Sequence, residues 1–423
     1  MNDISTQMNN LPDFTGPRLY MDNAATSFPK PKTVHEAMMH FATQIGASPG
    51  RGAYAQAREA GRLMNQCRTR LCELIGADVQ KPQQVIFTLN TTDGLNMAIR
   101  GITGYALANN TASHGKPHVI TTWMDHNSVL RPFNALAQNN DIEQTRVKCD
   151  PKTGLVDPQD IQKALRPNTC LIAVIHGSNV TGTVQPIADI GKIARKHNIT
   201  FLVDSAQTIG HMPLNVIDAN IDLLAFPGHK GLLGPLGTGA LYIRPGVEKI
   251  MITTKEGGTG SISDQDTQPN FLPDRFESGS HNAIGIIGLS EGVKYILDKG
   301  IDNIWAHEQQ LMRIMIEGLS EYGDMPGLNW YGPQGVKNRC GVFAVRVEGY
   351  DQPQALSDIL ESRYGILTRL GIHCAPLAHQ TFGTDKIGGM TRFSFGPFLT
   401  TQDVKYASDA PGQLCLETQT VVK

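Results

Sequence analysis

The sequence predicts an α/β fold, with a mostly parallel sheet covered by helices on both faces, followed by a smaller α+β domain. Three observations support this prediction. From residue 84, short and continuously apolar segments alternate with helical patterns, which is typical of buried parallel strands. Polar residues follow the ends of these segments, where α/β sheets bind their ligands. Near residue 284 the composition shifts, and helical patterns dominate the C-terminal part of the chain.

The helices and strands follow from the pattern in chain order. We predict helices over residues 33–45 and 57–75, where apolar positions recur at helical spacing. Strands are then predicted at 85–87, 118–122, 170–175, 201–203 and 223–226, with helices at 90–99, 128–137 and 186–196 between them. The later part of the chain shows helical patterns at 284–297, 304–322 and 353–364 and a strand at 340–345.

Length and composition indicate a globular protein of two domains. At 423 residues the chain is too long for one small core, and we predict an N-terminal arm (1–18), a large domain (19–285) and a small C-terminal domain (286–423). The formal net charge of −2 provides no basic surface for nucleic acid or an anionic membrane, so we expect neither as a partner. No apolar run has the length of a membrane span, and the polar N-terminal residues lack a signal-peptide pattern.

The cysteines indicate a reducing environment. The chain has seven, none of them in a Cys-x-x-Cys pair, so neither a disulfide scaffold nor a metal site is predicted. We therefore expect a cytoplasmic location. The seven are Cys67, Cys72, Cys149, Cys170, Cys340, Cys374 and Cys415.

Lys230 is the strongest candidate for chemistry. The apolar segment 223–226 runs into Pro227-Gly-His-Lys-Gly231, and further glycines precede a second apolar segment. A lysine held between buried strands is partly desolvated, which lowers its pKa and makes the neutral amine available as a nucleophile. The alternative is a solvent-exposed loop lysine, the ordinary situation for this residue.

Asp204 supplies a second functional group. It ends the strand at 201–203 and is followed by Ser205-Ala-Gln207. Enzymes that use pyridoxal 5'-phosphate (PLP) need a Schiff-base lysine and a carboxylate that faces the pyridinium nitrogen. Lys230 and Asp204, 26 residues apart, are candidates for this pair.

At these motifs the sequence resembles a known family. Asp204-Ser-Ala-Gln207, Gly228-His-Lys-Gly231 and Gly234-Pro-Leu-Gly-Thr-Gly239 resemble the PLP core of the class V aminotransferases, and among them the cysteine desulfurases. The resemblance covers about residues 18–408. It implies fold type I, which is aspartate-aminotransferase-like, with PLP bound by the large domain. It also implies a homodimer with shared active sites.

The resemblance assigns further residues around the cofactor. The turn at 90–94 opens a helix whose free amides can hold an anion, although a simple helix N-cap is the alternative reading. Thr92 and His229 are expected to contact the phosphate, as is Ser280 from the partner subunit. His126 is expected to stack on the ring and to transfer protons. The amides of Asn179 and Gln207 are expected to contact the ring oxygen.

Cys374 is the candidate sulfur-binding residue. It lies in Arg369-Leu-Gly-Ile-His373-Cys374-Ala, where positive or polarisable neighbours favour the nucleophilic thiolate. A small buried hydrophobic residue is the alternative reading. The motif resembles the persulfide-forming loop of the desulfurases with the shorter loop, because only 18 residues separate Cys374 from Arg392.

Three residues are candidates for substrate binding. Arg392 lies among apolar residues, which suggests a guanidinium in a fixed pose that can bind a carboxylate bidentately; an exposed edge-strand arginine is the alternative. By resemblance it holds the α-carboxylate of the substrate. The Asp-x-Ala-Ala pattern at 22–25 lines the substrate cleft in the family, which makes Asn23 and Ala24 candidate contacts.

The sequence departs from the family pattern at three places. Ala53-Tyr54 follows Arg51-Gly52 where the family often has a histidine in a loop that reaches the partner subunit. Pro227 stands where the family commonly has Ser or Thr before Gly-His-Lys, so one expected phosphate hydroxyl is missing or replaced. Leu399-Thr400 stands where the family often has Asn-Thr.

The implied function is conversion of L-cysteine to L-alanine, with a persulfide formed on Cys374 and passed to a protein sulfur acceptor. Several alternatives stay open at this point. They are selenocysteine lyase, cysteine sulfinate desulfinase, another enzyme of the class V fold, and a non-catalytic sulfur-carrier or binding protein that retains the fold. The sequence names neither the acceptor nor the pathway.

Overall fold

The computed structural model describes residues 15–50, 52–109, 115–322, 327–350 and 352–421. Most of the predicted N-terminal arm therefore lies outside the described residues, as does Arg51. The first strand of the described chain, β1 (Leu19–Tyr20), begins directly after the predicted arm.

A seven-stranded sheet forms the centre of the larger part of the molecule. Its strands are β2 (Val85–Thr88), β3 (His118–Thr122), β4 (Glu143–Val147), β5 (Thr169–Ile175), β6 (Thr200–Asp204), β7 (Leu223–Pro227) and β8 (Gly239–Ile243). The spatial order is β2-β8-β7-β6-β5-β3-β4, and β8 runs antiparallel to its two neighbours, β2 and β7, while the other neighbouring strands pair parallel. The predicted mostly parallel sheet is confirmed.

Helices pack on both faces of this sheet. They are α1 (Lys32–His40), which continues as the π-helical Phe41–Ile45, α2 (Ala55–Leu74), α3 (Thr91–Ala108), α4 (Asn127–Gln138), α5 (Pro158–Lys163), α6 (Ile187–Lys196) and α7 (Ala283–Lys299), with 3₁₀ turns at Pro82–Gln84 and Val247–Ile250. Successive residues of β6 enter different cores: Phe201 and Val203 pack on one face and Leu202 on the other. None of the helices in the described residues has the length and apolar content that crossing a bilayer requires.

The C-terminal part contains a second, smaller sheet. Its elements are α8 (Ile301–Glu321), β9 (Leu328–Tyr331), β10 (Val342–Val347), α9 (Pro353–Tyr364), β11 (Ile366–Leu367), β12 (Arg369–Gly371), α10 (Pro376–Phe382), β13 (Met390–Ser394) and α11 (Thr401–Val421). The order β12-β13-β10-β9 is antiparallel throughout, and α8, α9 and α11 contribute to its apolar core. The predicted smaller α+β domain is confirmed. Strand β11 pairs with β1 instead of joining this sheet.

The predicted domain limit at residues 285 and 286 falls in the first turn of α7. Apolar residues further along α7, among them Leu289 and Val293, belong to the core of the seven-stranded sheet. The limit itself stays a prediction.

A segment near the N-terminus connects the two parts. The backbone N–H of Ser394, at the end of β13, donates to the carbonyl of Met21 at 2.6 Å. A few residues later, the backbone N–H of Ser27 donates to the carbonyl of His229 at 3.0 Å. Residues 21–27 therefore tie the small sheet to the loop that follows β7.

Candidate functional site

The loops at the carboxyl ends of the parallel strands enclose a cavity of about 120 Å³. Seven of the predicted site residues line it together: Thr92, His126, Asn179, Asp204, Gln207, His229 and Lys230. They follow β2, β3, β5, β6 and β7, so five separate loops contribute. Because parallel strands place their carboxyl ends at one edge, this clustering follows from the chain order.

Lys230 lies in the loop that follows β7, with its side chain mostly enclosed. Burial lowers the pKa of Lys230 to about 8; the carboxylate of Asp204 opposes this shift, while Arg392 and Arg369 add to it. At neutral pH about a tenth of these side chains therefore carry a neutral, nucleophilic amine. An unperturbed lysine would have almost none.

Asp204 ends β6 with a buried carboxylate. One of its oxygens accepts a hydrogen bond from the backbone N–H of Ala206 at 2.9 Å. Burial raises the pKa of Asp204, and the charge of Lys230 opposes that shift. A buried carboxylate is stable as an anion only opposite a cation or strong donor, which a protonated pyridine nitrogen supplies.

His126 is the N-cap residue of α4. Its Nδ1 accepts a hydrogen bond from the backbone N–H of Ser128 at 3.0 Å. Burial lowers the pKa of His126 to about 4, and the charges of Lys230 and Arg369 contribute. The imidazole is therefore neutral at pH 7, and its one proton lies on Nε2. Among the two ring nitrogens, Nε2 is the donor.

The polar atoms of the cavity fit PLP. Asn179 Oδ1 and His229 Nδ1 are buried and find no hydrogen-bond partner among the described residues. The first-turn amides of α3, around Thr92, have no partner within their helix. An amine without a hydrogen-bond partner among the described residues, a buried carboxylate, and a helix N-terminus beside the unpartnered His229 ring match the aldehyde, ring nitrogen and phosphate of the cofactor.

Cys374 lies beside this cavity. It is exposed and lines a neighbouring cleft of about 430 Å³, which shares Thr92, His126 and Ser128 with the cavity. Its carbonyl accepts a hydrogen bond from the backbone N–H of Asn127 at 2.8 Å, and Asn179 Nδ2 donates to the carbonyl of His373 at 2.6 Å. The loop is thus bonded to the cavity wall at two points.

The backbone at Cys374 is strained. His373 and Cys374 have φ values of 52° and 58°, in the left-handed region that L-residues rarely adopt. Each residue in this conformation destabilises the folded backbone by about 1 kcal/mol or more, and the hydrogen bonds to Asn127 and Asn179 offset that destabilisation. The geometry holds Cys374 in the cleft that adjoins the cavity.

The charge around Cys374 differs from the sequence interpretation. Burial lowers the pKa of His373 well below its ordinary value and that of His379 to about 4, so both histidines are neutral at pH 7. Of the three neighbours considered from sequence, only Arg369 carries a positive charge. Arg369 lies directly opposite Arg392 in the β12–β13 register.

Arg392 is buried in β13, and its guanidinium is already bonded. Nη1 donates to the carbonyl of Asn179 at 3.0 Å, and Nη2 donates to Asp22 Oδ1 at 2.6 Å. Nε is buried and finds no hydrogen-bond partner among the described residues. The Asp22–Arg392 ion pair was not predicted. The available signal was the Asp that opens the Asp-x-Ala-Ala pattern.

Asn23 and Ala24 are not among the residues that line the 120 Å³ cavity. The Asn23 side chain bonds backbone atoms instead: Nδ2 donates to the carbonyl of Ser394 at 3.3 Å, and Oδ1 accepts from the N–H of Phe28 at 3.2 Å. The carbonyl of Ala24 accepts from Gln207 Nε2 at 3.0 Å. Both residues therefore fix the segment that carries Asp22.

Ser280 is the one predicted cofactor residue that this chain does not bring to the cavity. It lines a separate cleft of about 350 Å³ with residues of the 46–49 loop. Within one chain Ser280 and Lys230 thus belong to different clefts, and the predicted role of Ser280 requires a second subunit.

Comparison with known proteins identifies the family. The family model of the class V aminotransferases matches residues 19–406, nearly the whole chain. The chain belongs to this family. Its relatives include cysteine desulfurases: a probable cysteine desulfurase of Pyrococcus abyssi is 32% identical over 394 residues, covering 92% of each chain.

Solved structures of class V enzymes agree with this assignment. The apo structure of a cysteine desulfurase from Thermococcus onnurineus has a TM-score of 0.85 and 31% identity, covering 97% of this chain and 98% of that one. The structure of the Escherichia coli cysteine desulfurase CsdA, in an S-sulfonic acid form, has a TM-score of 0.81 at 24% identity and covers 99% of each chain. At that identity the second likeness shows the fold alone.

The structure locates two departures from the class V pattern. Pro227 is the last residue of β7 and pairs with Gly239 of β8. Because proline has no hydroxyl group, this position cannot donate a hydroxyl hydrogen bond to a phosphate. Tyr54 is the exposed N-cap residue of α2, without a side-chain capping bond. Arg51, whose loop was expected to reach a partner, lies outside the described residues.

A buried ion pair fixes the segment of the chain that contains Glu277 and Ser280. The guanidinium of Arg68 makes two hydrogen bonds to the Glu277 carboxylate, each 2.7 Å long, and the backbone N–H of Phe87 donates to the same carboxylate at 2.6 Å. Burial alone would raise the pKa of Glu277, but Arg68 and His281 outweigh it and lower that pKa to about 2. Glu277 therefore stays charged throughout the physiological range.

We expect the Glu277→Gln substitution to reduce the free energy of unfolding at pH 7 by about 3 kcal/mol, because it leaves the Arg68 charge buried without its partner. The folded-state pKa of about 2 lies below the ordinary value of 4.5, so the ion pair stabilises fully above pH 4.5. Its contribution is lost as the pH falls from 4.5 towards 2.

Urea unfolding at neutral and acidic pH checks this prediction. The difference between wild type and Glu277→Gln should shrink on acidification. Glu143→Gln is the matched control, since it breaks the exposed Arg166–Glu143 pair and should cost less than about 1 kcal/mol. Equal costs for the two variants would contradict the assigned role of Glu277.

Proposed function

We propose that this protein is a PLP-dependent cysteine desulfurase, which converts L-cysteine to L-alanine and receives the sulfur as a persulfide on Cys374. One observation carries the proposal. The Cys374 loop is bonded to the wall of the same cavity in which Lys230 and Asp204 lie, so a nucleophilic amine, a buried acid and a thiol occupy adjoining space.

Seven residues of this chain would hold PLP. Lys230 would bind it covalently and Asp204 would face its ring nitrogen. His126 would stack on the ring, Asn179 and Gln207 would contact the ring oxygen, and Thr92 and His229 would contact the phosphate. When bound, PLP supplies an electron sink that stabilises the negative charge developing next to the substrate α-carbon.

Arg392 binds and orients the substrate in this proposal. Its buried Nε has a hydrogen to donate, and the carboxylate of an α-amino acid is the natural acceptor. Arg369 lies directly opposite Arg392 in the β12–β13 pairing, and its positive charge adds to the positive potential around the Arg392 guanidinium. These contacts fix the substrate with its α-carbon towards Lys230.

Lys230 and His126 move protons. With a pKa of about 8, the Lys230 amine can take the proton from the substrate α-carbon near neutral pH and later return it to the substrate. His126 is neutral and donates only from Nε2, because Nδ1 is held by the backbone N–H of Ser128. A fixed tautomer makes His126 a directional donor.

Cys374 takes the sulfur. Its thiolate attacks the substrate Sγ, an S–S bond forms, and the Cβ–Sγ bond breaks with its electron pair remaining on the carbon fragment. Protonation of that fragment gives L-alanine, and the persulfide stays on Cys374 until an acceptor removes it. The exposed position of Cys374 supports transfer to a protein acceptor.

The assembly and location complete the proposal. We infer a homodimer in which Ser280 of each chain reaches the phosphate site of the other, because Ser280 and Lys230 belong to separate clefts within one chain. We also infer that the protein works in the cytoplasm. Seven cysteines without a disulfide among the described residues support a reducing location.

Incubation of the purified PLP-loaded protein with L-cysteine tests the function. We expect L-alanine to form, with one sulfur bound to the protein until a thiol reductant releases it as sulfide. Parallel assays with L-selenocysteine and L-cysteine sulfinate establish which substrate is turned over fastest. Absence of alanine from all three, in protein that binds PLP, would overturn the desulfurase proposal.

A further inference from the structure

Arg392, the residue proposed to bind the substrate carboxylate, already forms an ion pair with Asp22. Asp22 Oδ1 accepts from Nη2 at 2.6 Å, while Nε of the same guanidinium finds no partner among the described residues. A bidentate carboxylate needs two adjacent N–H groups. One of the nitrogens that could serve is therefore occupied by the protein itself.

The backbone of Asp22 is fixed, but its carboxylate is not enclosed. The segment forms a β-bridge to Ser394, and the carbonyl of Asp22 accepts from the backbone N–H of Ala25 at 3.0 Å and from the Tyr20 hydroxyl at 3.2 Å. The Asp22 side chain is 21% exposed, whereas that of Arg392 is 2% exposed. The carboxylate can turn towards water, and the guanidinium cannot.

Charge balance explains why Arg392 needs Asp22 before substrate binds. Arg392, Arg369 and Lys230 are positive groups whose charges act on one another here. Asp204 and Asp22 are the acids that offset them. A buried guanidinium without a counter-ion is costly, so Asp22 stabilises the substrate-free state.

We propose that Asp22 is an internal counter-ion, which occupies Arg392 until the substrate carboxylate displaces it and thereby sets the affinity for the substrate. The unpartnered Nε is buried, so the substrate carboxylate reaches it only as Asp22 moves aside. Displacement of Asp22 from Nη2 then completes the bidentate pair, and the released carboxylate becomes solvated. The inference rests on the proposed function in that the substrate is an α-amino acid bound through its carboxylate.

The displacement has a measurable cost. Breaking the Asp22–Arg392 pair offsets part of the favourable energy of carboxylate binding. The observed affinity for the substrate is therefore lower than it would be for an Arg392 without a paired Asp22. Neutralising Asp22 removes the competitor and leaves the local charge more positive. A merely structural Asp22 predicts the opposite, since loss of its contact would disorder Arg392 and weaken binding.

The Asp22→Asn variant of the PLP-loaded protein tests the proposal. We expect KM for L-cysteine to fall by about fivefold, with kcat changed by less than about twofold. Binding of L-alanine, followed through the absorbance of the bound cofactor, should tighten by the same factor. Binding of L-alaninamide, which lacks the carboxylate, should not change.

Glu291→Gln is the matched control. Glu291 is 26% exposed and pairs with Arg70 at 2.8 Å on α2, away from the cavity, so its loss should leave both ligands unaffected. Weaker L-alanine binding in Asp22→Asn, or equal tightening for L-alaninamide, would overturn the proposal. Failure of both Asp22→Asn and Asp22→Ser to fold would also overturn it, because Asp22 would then be a structural residue.

The L-alanine measurement separates this proposal from the proposed function. If the protein does not release sulfur from L-cysteine but Asp22→Asn still binds L-alanine more tightly, the desulfurase proposal fails and the counter-ion proposal stands. If sulfur is released normally and L-alanine binding is unchanged in the variant, only the counter-ion proposal fails.

Discussion

Replacement of Lys230 by alanine is expected to abolish covalent binding of PLP and to reduce L-alanine formation by at least about 10³-fold. Lys230 is the lysine that lines the cavity, where it lies with Asp204 and His229. Its pKa of about 8 gives a usable fraction of neutral amine at physiological pH. The absorbance of PLP-incubated protein, before and after addition of L-cysteine, measures the first effect, and a direct assay of L-alanine measures the second.

Lys30 provides the matched control for Lys230. Burial also lowers the pKa of Lys30 to about 8, so the two lysines are alike in basicity. Lys30 Nζ instead donates to the carbonyl and hydroxyl of Ser27, at 3.1 and 2.8 Å, and does not line the cavity. We expect Lys30→Ala to retain covalently bound PLP. Two results would contradict this prediction: a Lys230→Ala protein that still binds PLP covalently, or a Lys30→Ala protein that does not. Either would show that a position in the cavity does not determine which lysine binds PLP.

Much of the site could be predicted because it follows from strand order. Asp204 ends β6 and Lys230 follows the neighbouring parallel strand β7, and an apolar run followed by polar residues marks each strand end in the sequence. The same rule placed Thr92, His126 and Asn179 at one edge of the sheet. Local sequence was sufficient because each residue needed only its own strand for its position.

The elements that were missed lack that local signal. Strand β4 (Glu143–Val147) is at the edge of the sheet and half-exposed, so it has no continuous apolar run. Strand β8 was expected as an apolar strand after Gly239, and only its antiparallel direction was missed, because direction depends on how the chain returns. Helix α11 (Thr401–Val421) includes Pro411, a residue that ordinarily indicates the end of a helix.

The Asp22–Arg392 pair could not be predicted for a different reason. The two residues are 370 positions apart, and the pair exists only because the N-terminal segment bridges to β13. The neutral state of His373 and His379 likewise depends on burial by residues distant in the chain. Sequence indicated the groups present, but their charges and partners are properties of the tertiary fold.

Replacement of Cys374 by serine is expected to reduce L-alanine formation from L-cysteine by at least about 10³-fold, while covalent binding of PLP is retained. A serine hydroxyl is close in size to the thiol but cannot form a persulfide. The backbone bond from Asn127 to the carbonyl of residue 374 should persist, so the loop stays in place. Mass spectrometry of the protein after reaction with L-cysteine, without reductant, detects the added sulfur on wild type and its absence on the variant.

Cys170→Ser is the control that separates a reactive thiol from a structural one. Burial raises the pKa of Cys170 to about 12, so it has almost no thiolate at neutral pH and should not matter for turnover. Full activity in Cys374→Ser would mean that sulfur leaves by another route. The strained backbone at residues 373 and 374 would then have no catalytic purpose in sulfur transfer. Loss of activity in Cys374→Ser but not in Cys170→Ser would instead link that strain to the thiol in the cleft beside the cavity.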